Sequence, residues 1–133
     1  MPRVFLDTSA LVALAMERDD HHARAVDVLQ ELAESKASLW TSSYVVVEHV
    51  SILHNRRGIS AVRAFLHHFL PHLEVLWIDP PLHEGALALL LKTGKRRLSL
   101  VDCSSFLLLR KEHQRDVFAF DPDFEFEGFR VLR

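Results

Sequence analysis

Short apolar runs alternate with longer helical patterns along the whole chain. Val4–Leu6 predicts a strand, and the apolar stretch Ala10–Met16 after it predicts a buried helix. Between residues 20 and 36, apolar side chains recur at Ala25, Val28 and Leu32, the spacing of an amphipathic helix. Further strands are predicted at 38–41, 73–78 and 117–120, with an edge strand at 129–132. Further helices are predicted from the Ser42 cap to Gly58, over 60–70, from Pro80-Pro81 to Gly94, and over 99–114.

Regular alternation of strands with helices predicts a particular architecture. Parallel strands need crossover connections, and right-handed crossovers through helices cover both faces of the sheet. The sequence therefore predicts an α/β fold of three layers, with a central parallel sheet of four or five strands flanked by helices. With 133 residues, 49% of them hydrophobic, the chain can bury one core, so residues 1–133 are expected to form a single domain.

Composition narrows the class of protein. No apolar run reaches the roughly 18 residues that would span a bilayer, and Asp7 interrupts the start before a secretory segment could develop. Cys103 is the only cysteine, which excludes an intrachain disulfide. We therefore expect a cytoplasmic protein without a membrane. A net charge of −2 argues against binding nucleic acid by bulk positive charge, although a nuclease with carboxylates around a metal remains compatible with it.

Two carboxylates follow predicted strands directly. Asp7 comes after Val4–Leu6, and Asp121 comes after the strand predicted at 117–120. Because ligands bind beyond the carboxyl ends of parallel strands, both should face one crevice. Each also has a purely structural interpretation, Asp7 as a helix N-cap and Asp121 as a turn residue before proline.

Two further acids lie in predicted helices. Asp102 stands at the third position of a capping-box-like pattern that begins at Ser99, where a carboxylate also favours the helix dipole. Glu48 is surrounded by valines, and it shares an arc of its helix with Tyr44 and Ser51. This polar stripe could face solvent or a polar cleft. The surrounding valines suggest that much of the helix is buried, and an unpaired carboxylate is costly to bury in an apolar core, so we favour the cleft.

Four segments that contain these acids follow one another along the chain. They are Phe5-Leu6-Asp7-Thr8-Ser9, Glu48 in its apolar helix, Leu100-Val101-Asp102, and Phe118-Ala119-Phe120-Asp121-Pro122-Asp123-Phe124. Together they resemble the PIN-domain nucleases, and most closely their VapC-type toxin branch. The resemblance covers essentially the whole chain, in order. It implies that Asp7, Glu48, Asp102 and Asp121 form an acidic catalytic site, with Asp7 and Asp102 as direct metal ligands.

One departure from the family pattern affects the fourth acid. Many relatives carry Thr or Ser two residues before it, where this chain has Ala119. Asp123 is therefore the natural alternative to Asp121. Ser9 matches the small hydroxyl of the first motif and is expected to orient Asp7 or bound water.

The resemblance also implies a function and partners. It implies a Mg²⁺-dependent or Mn²⁺-dependent ribonuclease, because hard divalent ions prefer oxygen ligands and acidify a bound water. A VapC-type toxin further implies a cognate antitoxin protein and a homodimer, for which Ala10–Met16 and Ser60–Leu70 are candidate interfaces. Alternatives are a housekeeping RNA-processing PIN nuclease, a catalytically idle PIN-like module that binds RNA or protein, and a phosphoaspartate phosphatase, which Ser9 disfavours where that motif needs Asp.

The basic and histidine clusters give weaker indications of function than the acidic residues. Arg56-Arg57 and Lys95-Arg96-Arg97 suit either solvated helix ends or phosphate positioning along RNA. His67, His68 and His72 invite a zinc site, but Pro71 interrupts their helix and no Cys joins them.

Overall fold

The computed structural model describes residues 2–133 and contains one five-stranded sheet in which every pair of neighbours is parallel. This confirms the α/β class, the parallel sheet and its predicted size. The strand order is β3-β2-β1-β4-β5. The strands are β1 (Arg3–Leu6), β2 (Ser38–Ser42), β3 (Leu73–Leu76), β4 (Asp116–Phe118) and β5 (Arg130–Leu132).

Seven α-helices connect these strands. Right-handed crossovers place the connections that lead towards β3 on one face of the sheet and those that return towards β4 on the other. Contacts agree with this, since α1 packs on α2 and α3, and α5 packs on α6. The helices are α1 (Thr8–Ala15), α2 (His22–Glu34), α3 (Ser43–Arg57), α4 (Ile59–Ala64), α5 (Pro80–Thr93), α6 (Leu100–Lys111) and α7 (Asp123–Phe126).

Helix ends follow the sequence signals. The Ser42 side chain accepts a hydrogen bond from Val45 N and begins α3, which ends at Gly58. Gly94 adopts a left-handed conformation, with φ of 61°, and closes α5 as predicted. Such a conformation favours glycine because it has no Cβ to clash with the backbone.

The helix predicted over 60–70 is only partly regular. The α-helix ends at Ala64, and a wider π-helical turn and a 3-10 turn follow it over Phe65–Phe69 and Leu70–His72. Pro71 explains the change, because proline has no N–H and its ring clashes with the carbonyl of the residue four positions earlier. The sequence also did not predict α7, a single turn between β4 and β5.

Aromatic side chains form much of the core. Phe5 and Trp40, on neighbouring strands, meet edge to face at 4.9 Å, and both are fully buried. Phe106 of α6 meets Phe124 of α7 in the same way at 5.0 Å. Within residues 2–133 no helix is both long and apolar enough to cross a membrane.

Helix α3 divides its polar residues between two environments. His49 is 1% exposed, contacts the Phe65 ring, and its Nδ1 has no hydrogen-bond partner within the described residues 2–133. Burial lowers the pKa of His49 to about 4, so its imidazole is neutral at pH 7. The preceding residue, Glu48, lines a polar pocket instead. Of the polar stripe predicted for this helix, Glu48 therefore faces a cleft, whereas Ser51 is exposed.

Candidate active site

An open pocket of about 420 Å³ lies beyond the carboxyl ends of β1 and β4. The chain leaves β1 towards β2 but returns through β4 on its other side, so the pocket lies where the strand order reverses. Parallel sheets bind ligands at such switch points. The structure brings all four predicted acids together in the lining of this pocket: Asp7, Glu48, Asp102 and Asp121.

Asp7 caps α1 and is held by Ser9. The Ser9 hydroxyl donates to Asp7 Oδ2 at 2.6 Å, and the Ser9 N–H donates to the same oxygen at 3.2 Å. Asp7 is only 3% exposed. Burial is the largest cause that raises the pKa of Asp7 to about 7, and the charges of Asp102 and Asp121 raise it further. The structural and site interpretations of Asp7 are therefore compatible.

Ser9 also connects the first and the last of the four sequence segments that carry the resemblance. Its hydroxyl accepts a hydrogen bond from the Phe120 N–H at 3.0 Å. Because the same hydroxyl donates to Asp7, the Ser9 side chain holds Asp7 against the segment that contains Asp121. This supports the expectation that Ser9 orients Asp7.

Asp102 has both of its predicted features. Ser99 N donates to Asp102 Oδ2 at 3.0 Å, and Asp102 N donates to Ser99 Oγ at 3.1 Å, which completes a capping box. The same carboxylate lines the pocket. Burial is the main cause that raises its pKa to about 6, and the charges of Asp121 and Glu48 add to the effect.

Asp121 and Asp123 occupy different places. Strand β4 ends at Phe118, two residues earlier than predicted, so Asp121 lies on the loop that follows it. Asp121 lines the pocket, and its Oδ1 accepts from the Asp123 N–H at 2.9 Å. Asp123 is 6% exposed and pairs with Arg97 at 3.1 Å, outside the pocket lining. The geometry therefore favours Asp121 over Asp123 as the fourth acid.

The basic residues differ in their availability. Arg97 is engaged by Asp123, so its first role is structural. Arg56 lies two turns after Glu48 on the same face of α3 and lines the acidic pocket, while Arg18 and Arg57 line a smaller hollow beside it. Within the described part of the chain, none of these three arginines forms an ion pair. Guanidinium groups in this position can contact phosphate oxygens.

Among the polar residues that line the pocket, the sequence did not single out Thr8, Asp19 or His21 as site residues. The Thr8 hydroxyl is buried and has no hydrogen-bond partner within residues 2–133. Asp19 and His21 lie in the loop between α1 and α2, which no strand end or helix period marks as functional. A polar cluster in the first loop after the Asp7 helix is the only signal that could have suggested them.

The donor set suits a hard divalent cation. No lysine, arginine or histidine among residues 2–133 forms an ion pair with the four acids. Among residues 2–133, no three His, Cys, Asp or Glu side chains are placed to hold a metal ion by themselves. Mg²⁺ does not need three protein ligands, because it usually binds one or two carboxylates and keeps several water ligands. Among the described residues, no protein donor reaches the second carboxylate oxygen of Asp7 or of Asp102, and the Thr8 hydroxyl offers another oxygen.

The parallel sheet and the acidic pocket at its switch point are those of a PIN domain, and the PIN domain family model matches residues 4–126. The chain therefore belongs to the PIN domain family. It is 33% identical over 132 residues, 98% of each chain, to the 23S rRNA-specific endonuclease VapC20 of Mycobacterium tuberculosis.

Solved structures show the same fold. The crystal structure of Mycobacterium tuberculosis VapC20, described as a Sarcin-Ricin loop cleaving toxin, aligns with a TM-score of 0.82 and 31% identity over 98% of both chains. FitAcB from Neisseria gonorrhoeae aligns with a TM-score of 0.71 and 16% identity, over 98% of this chain and 96% of its own. VapBC2 from Rickettsia felis, bound to a DNA fragment from its promoter, aligns with a TM-score of 0.71 and 16% identity, over 98% and 97%.

Proposed function

We propose that this protein is a divalent-metal-dependent endoribonuclease and the toxin of a toxin-antitoxin pair. One observation carries the enzymatic part of the proposal: four carboxylates that form no ion pair within the described residues 2–133 line a single open pocket at the switch point of the sheet. Holding like charges together costs free energy, and a divalent cation bound there would offset that cost. Asp7 and Asp102 are the residues that would hold it.

The side chains divide the chemistry between them. A bound Mg²⁺ or Mn²⁺ supplies positive charge that stabilises the developing charge on the phosphate. Ser9 fixes the orientation of Asp7 through a 2.6 Å hydrogen bond. Glu48 makes no hydrogen bond or ion pair with other described side chains, so it is free to accept a proton from an attacking water. Arg56, on the same helix face, positions a phosphate of the substrate.

The substrate we propose is structured ribosomal RNA. VapC20, similar over the whole length of the chain, is named for 23S rRNA cleavage, and its crystal structure for cleaving the Sarcin-Ricin loop. Ala119 departs from the family pattern, and such a departure is what would allow a catalytically idle module. Ala119 is, however, fully buried and lies outside the pocket lining. Its missing hydroxyl therefore removes no group from the acidic pocket.

Purified protein is expected to cut a 23S rRNA fragment that contains the Sarcin-Ricin loop when Mg²⁺ or Mn²⁺ is present. EDTA should stop cleavage, and excess Mg²⁺ should restore it, because the cation offsets the charge of the carboxylates. Product mapping on a gel, with a fragment of scrambled loop sequence as control, measures both rate and position. Cleavage that persists in EDTA, or none under any metal, would contradict the proposed activity; equal cutting of the scrambled loop would contradict only the ribosomal substrate.

An antitoxin is part of the same proposal. FitAcB and VapBC2 share the fold of this chain. An antitoxin that inserts a peptide near the acidic pocket would exclude RNA from it. A basic side chain on that peptide would compensate the carboxylates by ion pairing.

A homodimer is also proposed, and the structure offers an apolar surface in addition to the two segments suggested by the sequence, Ala10–Met16 and Ser60–Leu70. Ala10, Leu11 and Ala13 of α1 are buried in the core, whereas Leu14 and Ala15 line an open apolar pocket with Ala64 and Phe69 of the second segment. The more exposed apolar side chains include Val47 on α3, at 65%, and Leu91 on α5, at 82%. A hydrogen bond between Tyr44 and His83 brings the two helices together one turn before Val47.

Light scattering at micromolar concentration is expected to give twice the monomer mass. Leu91→Glu should return the protein to a monomer, because a charge cannot be buried unpaired in an apolar interface. Leu66→Glu, at a 42% exposed position on the π-helical turn, is the matched control and should leave the mass unchanged. A monomeric wild type would disprove the dimer, and a monomer only with Leu66→Glu would place the interface at the residues first suggested.

A further inference from the structure

Three aromatic rings form a ladder from the core to the rim of the acidic pocket. Phe118 is fully buried in β4, and its ring meets Phe120 edge to face at 5.9 Å. Phe120 in turn carries the imidazole of His21, stacked almost parallel at 4.5 Å with an interplanar angle of 9°. His21 is exposed, so the face of its ring that does not contact Phe120 is available to a ligand.

Backbone hydrogen bonds hold the two rings of this ladder that reach the pocket, His21 and Phe120. The Asp19 carboxylate accepts from the His21 N–H at 2.8 Å, which holds the loop between α1 and α2 in place. The neighbouring His22 is tied by its Nδ1 to the carbonyl of Ala13 at 2.8 Å. On the other side, the Phe120 N–H donates to Ser9. A flat surface that is fixed in this way loses little conformational entropy when a second flat group stacks on it.

The ladder adjoins the proposed chemistry. His21 and Phe120 line the same pocket as Asp7 and Asp121, and Phe120 directly precedes Asp121 in the chain. A phosphodiester held at the carboxylates therefore carries a neighbouring nucleotide within reach of the imidazole. Every nucleobase has a flat face, and unpaired RNA bases are commonly stacked on aromatic side chains.

We propose that His21, braced by Phe120, is a binding subsite for one unpaired nucleobase next to the scissile phosphate of RNA. The proposal rests on the ribonuclease function proposed above and deepens it. It makes His21 a substrate-binding residue, whose ring stacks on the base. The subsite selects for a base that can leave its own stack, as bases in loops do, rather than for one base identity.

A pair of substrates tests the subsite. His21→Ala is expected to raise KM for a short loop RNA by about 5- to 150-fold, the range for loss of one base–aromatic stack, with kcat little changed. Replacing the nucleotide on either side of the cleaved bond by an abasic one identifies the stacked base. An RNA that is abasic at the stacked position should bind wild type more weakly by a similar factor. The same RNA should bind His21→Ala about as weakly as the unmodified RNA does, because the stack is already lost. His21→Phe, which keeps a flat ring, should restore most of the affinity, and His68→Ala, on a remote exposed turn, should behave as wild type.

The outcomes separate this proposal from the function on which it rests. If wild type does not cleave RNA, the ribonuclease function fails. If wild type cleaves but His21→Ala has the wild-type KM, the subsite is absent and the function stands. If the losses from His21→Ala and from every abasic substitution multiply, the ring acts only by packing the loop, and the subsite is disproved. Failure of His21→Phe to restore affinity disproves stacking in the same way.

Discussion

Asp7→Asn is expected to reduce RNA cleavage by at least about 100-fold, the upper range for removing even an outer residue of a metal site, since Asp7 is proposed to bind the ion directly. Asparagine is as good an N-cap as aspartate, and its side-chain oxygen can still accept from Ser9. The fold should therefore survive, and RNA binding should be unchanged or tighter because one repelling charge is lost. Cleavage assays, RNA-binding titrations and thermal melts measure the three effects.

Asp27→Asn supplies the control for this substitution. Asp27 lies on the exposed part of α2, outside the pocket lining, so its loss should change neither cleavage nor binding. If the Asp7→Asn variant keeps its fold and cleaves RNA at the wild-type rate, Asp7 is only a helix cap, and the proposed site loses its central residue.

Asp102→Asn should stabilise the metal-free protein above pH 7 by about 1–3 kcal/mol and abolish its stabilisation by Mg²⁺. The pKa of Asp102 is raised from 3.8 to about 6 in the folded state, mainly by burial and also by neighbouring carboxylates. A raised carboxyl pKa means that the folded state holds the proton more tightly, so folding loses stability as the pH rises above 4 through 6. Asparagine removes that loss and can still accept from Ser99 N in the capping box.

The dependence on pH separates charge relief from a general change in stability. Below about pH 3, Asp102 is largely protonated in both the folded and the unfolded state, so the advantage of Asp102→Asn should shrink towards zero. Mg²⁺ at about 100 times its Kd should raise the free energy of unfolding of wild type by about 2.7 kcal/mol, and should have no effect on the variant. A variant that melts lower at pH 8, still responds to Mg²⁺ and cuts RNA would leave Asp102 a capping residue alone.

The fold was predictable because its signals are local. Strand and helix periods, the Ser42 cap and the two glycine stops are each read within a few residues, and alternation of the elements implies the parallel sheet. The errors arise where a local pattern has two physical outcomes. Apolar residues continue through 65–70, but Pro71 changes the helix type there. Strand β4 stops at Phe118 although Ala119 and Phe120 are also apolar, because Phe120 N–H bonds to Ser9.

The acidic site was only partly predictable. Strand ends indicated Asp7 and Asp121, but Asp102 and Glu48 needed the family resemblance, because their separation along the chain carries no information about distance in space. The choice between Asp121 and Asp123 depended on the partner of Arg97, which lies 26 residues away from Asp123 in sequence. His21 was missed because its position on the pocket depends on stacking with Phe120, a contact between distant segments.

The hydrogen bond from Phe120 to Ser9 spans 111 residues of sequence, and this has a consequence for when the nuclease site can exist during synthesis. Strand β1 pairs with β2 early, but it gains its other neighbour only after β4 has emerged. Contacts of such long range form late, because the intervening chain must be ordered first. A partly synthesised chain therefore presents Asp7, Glu48 and eventually Asp102 without Asp121 or the His21 stack, and we expect it to be inert towards the ribosome that is making it.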